Sequence, residues 1–263
     1  TVSDIVVNRV KTDGTIIGST ATDIAQSDLI STGALVLQTT NGSITINGGG
    51  DTTGVSAGGN ILLKTQGAGS DIAINATTSS TSGHISILAV DSVIQSTDGD
   101  IQTGGSGTID ISATTGSITM VDGVTTSTTG SGNIRYNAGT TITVGSLSTA
   151  GSVSLKGTAI TDSGTTEIDL TATRLRIEAS IQAGAGTNHL ETSVTTLSAN
   201  VGSGGLFLTE TDGITVDTVA AVVVNRVKTD GAATDSTVTD SEQSDLISTG
   251  ALVLQTTNGT ITI

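Results

Sequence analysis

GTIDISATTGSITM (Gly107–Met120) is the stretch from which the fold is read. Ile109 and Ile111 alternate with polar residues, and after a short turn Ile118 and Met120 do the same. Side chains two positions apart share one face of a β-strand, so each half is a strand with one buried face. The pattern recurs along the chain. Leading pairs stand at Leu35/Leu37, Ile61/Leu63, Ile85/Ile87, Ile109/Ile111, Ile134/Tyr136, Val153/Leu155 and Ile168/Leu170. Partner pairs follow at Ile44/Ile46, Ile72/Ile74, Ile118/Met120, Ile142/Val144, Leu175/Ile177 and Ile214/Val216. A third segment often comes next (Ile101-Gln-Thr, Val124-Thr-Thr, Leu147-Ser-Thr, Ile181-Gln-Ala) and would close a three-sided coil.

Leading strands begin 26, 24, 24, 25, 19 and 15 residues apart, a spacing that suits rungs with loops of unequal length. One rung cannot bury its apolar face alone, so stacked neighbours are required. The expected fold is all-β: a right-handed parallel β-helix, or β-solenoid, of about ten rungs per repeat unit. At ~4.8 Å per rung such a unit would extend the rod by roughly 50 Å. Asn41-Gly42, Asp98-Gly99, Asp122-Gly123 and Asp212-Gly213 supply the turns, because glycine permits positive φ. The same dipeptides also mark antiparallel hairpins, which makes a β-sandwich the competing fold.

The chain also repeats itself over a longer distance. Thr1–Ile46 aligned with Thr218–Ile263 without a gap gives 35 identities in 46 pairs. Val6–Gly14 recurs as Val223–Gly231, and Gln26–Gly42 recurs as Gln243–Gly259, whereas Thr15–Ala25 and Ala232–Glu242 diverge as surface loops would. Residues 1–217 are thus read as one complete repeat unit and 218–263 as the start of the next, cut from a tandem array. Duplication alone accounts for the identity, so the repeated blocks earn no functional credit.

Composition narrows the function. The chain has 35 glycines, no proline, cysteine or tryptophan, and one each of Met, Tyr and Phe, so its core is thin and aliphatic. A net charge of −15 argues against nucleic acid or an anionic membrane surface as partner. No apolar run reaches the roughly 18 residues that span a bilayer, which argues against membrane insertion. The first residues have no apolar signal core, so any export signal is expected outside this stretch.

The segments Gly59–Leu63 (GNILL), Gly116–Met120 (GSITM), Gly132–Tyr136 (GNIRY) and Gly151–Leu155 (GSVSL) resemble the β-strand repeats of filamentous-haemagglutinin-type exoproteins and other giant bacterial adhesins. The similarity extends over nearly the whole chain. It implies an extracellular or cell-surface protein with a right-handed β-helix shaft and a role in adhesion, biofilm matrix or filament formation. Expected partners are neighbouring repeat units, other rods through lateral or end-to-end self-association, and a glycan or host-surface ligand.

Candidate chemistry is sparse. Gly104–Asp110 (GGSGTID) approximates a Ca²⁺-binding nonapeptide, although Asp110 falls one residue late, and Asp98 and Asp100 offer two carboxylates on one turn. Ca²⁺ takes oxygen ligands, so Asp98, Asp100 and Asp110 form the candidate metal set; turn aspartates that cap backbone amides are the alternative. No catalytic residues are assigned and the chain is read as a non-enzyme. Some parallel β-helices do bind or degrade polysaccharides, and for that alternative Glu167, Asp169, Arg174, Arg176 and Glu178 form the densest charged cluster, placed on the outside by alternation. His84 and His189 have no partner for zinc. Asn8-Arg9-Val10-Lys11 and its copy Asn225–Lys228 are a charged loop face, or pair with acidic patches on an adjacent rod.

Overall fold

A computed structural model describes residues 1–165 and 167–263, with the side chains of 16–21 outside the description. The chain is all-β and forms a parallel β-solenoid of about eight turns. Three sides recur in each early turn. Leu29–Ser31, Thr53–Ala57, Thr77–Ser80, Ile101–Thr103 and Thr125–Thr128 line one side. The leading strands Leu35–Thr39, Ile61–Thr65, Ile85–Ala89, Ile109–Ala113 and Ile134–Ala138 form the next. Ile44–Ile46, Ile72–Ile74, Val93–Gln95, Ile118–Met120 and Thr141–Val144 form the last. We call them the base, leading and partner sides.

Register is in step because every inward residue stacks on its equivalent one turn away. On the leading side a single column runs Leu37, Leu63, Ile87, Ile111, Tyr136, Leu155, Ile177, Ala199 and Leu246. Nearly all of this interior is inaccessible to solvent. At roughly 25 cal/mol per Å² of apolar surface removed from water, burial by neighbouring turns is the main driving force. A one-residue slip would turn the whole inward set to solvent.

Four details differ from the sequence-based expectation. Ile168 is 39% exposed and outside any strand, so the inward pair there is Leu170/Ala172. Leu170 stacks on Leu147 on the base side, while Leu175 and Ile177 stack on Val153 and Leu155 on the leading side. Segments read as the leading and partner strands of one rung thus take the base and leading sides, and the solenoid has about eight turns where about ten rungs per unit were expected. The reason is strand length: Ser152–Asp162, Leu170–Ala183 and Leu190–Val201 run through corners where earlier turns have loops. For the same reason Ile181 is exposed, and its neighbours Gln182 and Ala183 pair with Ala159 and Ile160 of the partner side.

The two near-identical copies occupy different sides. Leu29 pairs with Val55 on the base side, but Leu246 pairs with Ala199 on the leading side. Likewise Leu35 opens the leading side, whereas its counterpart Leu252 stacks on Leu206. The same side chains fit either side, because each presents an inward apolar ladder to the turn before it.

Each copy also begins with an antiparallel hairpin in place of the expected surface loop. Ile5–Val10 pairs with Ile16–Asp23, and Val222–Asn225 pairs with Thr237–Asp240. Both divergent stretches therefore contribute a paired strand.

Candidate functional site

The outward residues of the leading side form their own column: Val36, Leu62, Ser86, Asp110, Arg135, Ser154, Arg176 and Ser198. Strand alternation points them away from the core, yet Leu62, Ser86, Asp110, Ser154 and Ser198 are all buried. The second hairpin covers them like a strap laid along the rod. Val227 and Ala233 pack on Leu62. The Val227 amide donates to Ser86 Oγ (2.9 Å), and the Asn225 amide donates to Thr108 Oγ1 (2.9 Å). Asn60 Nδ2 and Asn133 Nδ2 donate to the Gly231 and Val223 carbonyls. At the far end Arg176 Nε donates to the Ser241 carbonyl and Gln243 Nε2 to the Ile177 carbonyl.

Charge fixes the middle of this strap. Asp110 lies between Arg135 Nη1 (3.1 Å) and Arg226 Nε (2.7 Å). Arg135 Nε also reaches Asp240 (3.0 Å), which accepts from Ser154 Oγ (2.7 Å). A buried charge without a partner is strongly unfavourable, so these groups hold the hairpin in one register. Arg226, from the repeated basic segment, thus pairs within its own rod. Asp23 and Asp240 are one of four identical pairs within the divergent stretch, with Ser19/Ser236, Thr20/Thr237 and Thr22/Thr239.

The three aspartates considered for Ca²⁺ are differently placed. Asp110 is engaged by the two arginines beneath the strap. Asp100, entering the base side, accepts from the Thr125 amide (2.8 Å) and hydroxyl (3.1 Å) of the next turn. Asp98 stands at the preceding turn, whose Gly99 carbonyl accepts from Gln95 Nε2. Asp98, Asp100 and Asp110 are not brought together as one group of ligand oxygens.

A different acidic group is assembled. Asp162, Asp169 and Glu191 each offer an oxygen, all within 4.8 Å of one another. They come from consecutive turns: Asp162 ends a strand on the partner side, and the Asp169 and Glu191 backbones are hydrogen-bonded to each other. The Glu191 amide also donates to Asp169 Oδ2 (2.8 Å). Asp162 Oδ2 and Glu191 Oε2 are buried without a hydrogen-bond partner. Burial first, then the adjacent Asp162 carboxyl and the charge of Glu191, push the Asp169 carboxyl up to about 9. Burial and Asp162 raise Glu191 as well. At neutral pH the group therefore keeps a proton on Asp169, since carboxylates this close disfavour full ionisation. The same oxygens suit a hard cation, for which they supply part of the six to eight ligands that Ca²⁺ takes. Asp162 and Glu191 escaped sequence reasoning because only the stacking of turns makes them neighbours.

The charged cluster weighed for polysaccharide chemistry is dispersed. Glu167 and Arg174 are exposed, Arg176 is covered by the strap and bridges to Glu178 (2.7 Å), and Lys156 joins Glu178 from the preceding turn (2.9 Å). Asp169 is 2% exposed, so alternation placed it on the outer face but did not foresee its cover. His84 and Thr108 are hydrogen-bonded, and burial lowers the imidazole pKa. His189 bonds Thr209 and stands beside Phe207. No helix among the described residues is long and apolar enough to cross a membrane. Compared with known proteins, the chain matches no family model, no curated protein and no solved structure, and its assignment to the parallel β-solenoids rests on its own strand pairing.

Proposed function

We propose that this chain is a rod segment of a large secreted or cell-surface repeat protein, with a structural or adhesive role and no catalytic one. The observation that carries the reading is the in-register stack of about eight turns onto which a second, near-identical unit is already joined. A fold of this kind lengthens by adding turns, so its reach grows with the number of units and no new core is needed. The charge of −15 suits a rod that is kept apart from its neighbours until ions screen it. The resemblance to giant adhesins agrees in fold and supplies the extracellular setting. Electron microscopy of the native material tests it. Rods with an axial period near ~40 Å, about eight turns at ~4.8 Å, are the expected result; compact particles without a period would refute it.

A second reading, a polysaccharide-binding or polysaccharide-degrading β-helix, draws on one observation. Asp169 is a carboxyl held protonated beside two other acids, which is the state a general acid needs. Release of reducing ends from polysaccharides by the unmodified chain, lost in Asp169→Asn, would favour it over the rod.

A further inference from the structure

We infer that the amino-terminal hairpin, Val2 to Gln26, is a docking strap for the outer leading face of a second copy of this unit. The evidence is the contrast between two hairpins of nearly the same sequence. Val2, Ile5, Val7 and Val10 are 63%, 56%, 53% and 65% exposed. Their counterparts Val219, Val222, Val224 and Val227 are 0%, 0%, 0% and 2% exposed, with Val227 packed on Leu62 and Val222–Asn225 lying against the leading strands. Among the described residues the first hairpin has no such column beneath it, and its two strands pair with each other. A contiguous apolar strip of this kind marks a binding surface.

The occupant follows from the second hairpin, which shows what this sequence binds. Four anchors are present in the first copy: Arg9 for Arg226, which meets Asp110; Val10 for Val227, which covers Leu62; Asp23 for Asp240, which meets Arg135 and Ser154; and Gln26 for Gln243, which caps Ile177, while Ile16 stands where Ala233 also packs on Leu62. The face that satisfies all of them is the column from Val36 to Ser198. In this chain that column is already covered by the chain's own second hairpin, so the first hairpin fits it only on a copy whose face is open, the unit before it in an array or a molecule whose second hairpin has lifted away. The contact is head-to-tail: one end carries the strap and the body carries the face, so association grows open chains. This holds whatever use the rod serves and does not rest on the adhesive reading.

The test uses the whole chain and opens its covered face. Val224→Asp with Val227→Asp should undock the second hairpin, and sedimentation should then show concentration-dependent oligomers, with the average mass rising roughly twofold or more, as expected of open-ended association. The unmodified chain should stay monomeric. Adding Val7→Asp and Val10→Asp should return the opened variant to monomer. Arg226→Glu is a second route to an open face: it sets a carboxylate against Asp110 and leaves every inward side chain in place. Its oligomers should vanish when Arg9→Glu is added. A cooperative urea transition and a β-type circular dichroism spectrum report folding in each case. Folded, opened variants that remain monomeric at every concentration would overturn the inference, as would oligomers that persist after the first hairpin is altered.

Discussion

Tyr136 is the residue on which the core of the middle turns depends. Its ring stacks between Ile111 and Leu155, and its hydroxyl meets Gln95 Oε1 (2.8 Å) and Thr126 Oγ1 (2.7 Å) inside the coil. Burial pushes the phenol well above its usual pKa, so it stays a neutral donor. Tyr136→Phe removes that donor and strips Gln95 of a partner; urea unfolding should show a loss of about 1–3 kcal/mol, the cost of an unsatisfied buried polar group. Asp169 gives a pH signature of opposite origin. Its folded pKa, about 9, lies above its ordinary 3.8, so folding favours the protonated form. Its contribution is fully present below pH 3.8 and is lost as pH rises through about 9. Urea midpoints should therefore fall across that window in the unmodified chain and fall less in Asp169→Asn. Glycines explain the Gly-X-Ile signature in the same local terms. A Cβ on Gly132 would overlap the Gly107 carbonyl oxygen, and one on Gly107 would overlap that of Gly83, because successive corners stack backbone on backbone. The glycine before the strand is required by the turn beneath it.

At the scale of elements, the strap and the stack should separate under mutation. Asp110 is fully buried between Arg135 and Arg226, and its removal leaves Arg226 without its carboxylate. Loss of one member of a buried ion pair costs about 3–5 kcal/mol. Here the hairpin can lift away, and the cost is then limited to its docking. Asp110→Ala should accelerate hydrogen exchange at Val222–Asn225 and Thr237–Asp240 while Ile109–Ala113 stays protected, since a peripheral unit opens before the global one. Equal acceleration in both would mean that strap and stack form one cooperative unit.

At the scale of the whole molecule, charge governs how rods meet. Nine basic and 24 acidic residues leave −15, and the strap and its bed use Arg135, Arg176 and Arg226 internally. Rods should repel at low salt over a Debye length of about 30 Å at 0.01 M and approach one another once screened. Light scattering from the unmodified chain should rise on addition of Mg²⁺ or Ca²⁺; scattering that ignores both ions would remove charge as the control. This lateral contact differs from strap docking, which salt should weaken through the Arg226–Asp110 pair but which the apolar strip sustains.

The sequence by itself determined the strand alternation and the inward pairs from Leu35 to Leu155, and it favoured parallel stacking over the β-sandwich because a sustained rung length lets each turn bury its neighbour's face. It also determined the long repeat. Only the tertiary structure decided which side each segment takes, since Leu29 and Leu246 share a sequence context and sit on different sides. Only it brought Asp162, Asp169 and Glu191 together, because Glu191 lies 22 residues beyond Asp169 and joins it only through the stacking of turns, which leaves no local spacing to read. And only it revealed the strap, because a hairpin that covers an outward column reads, residue by residue, like a surface loop: the alternation that places Asp110 outside says nothing of what lies over it.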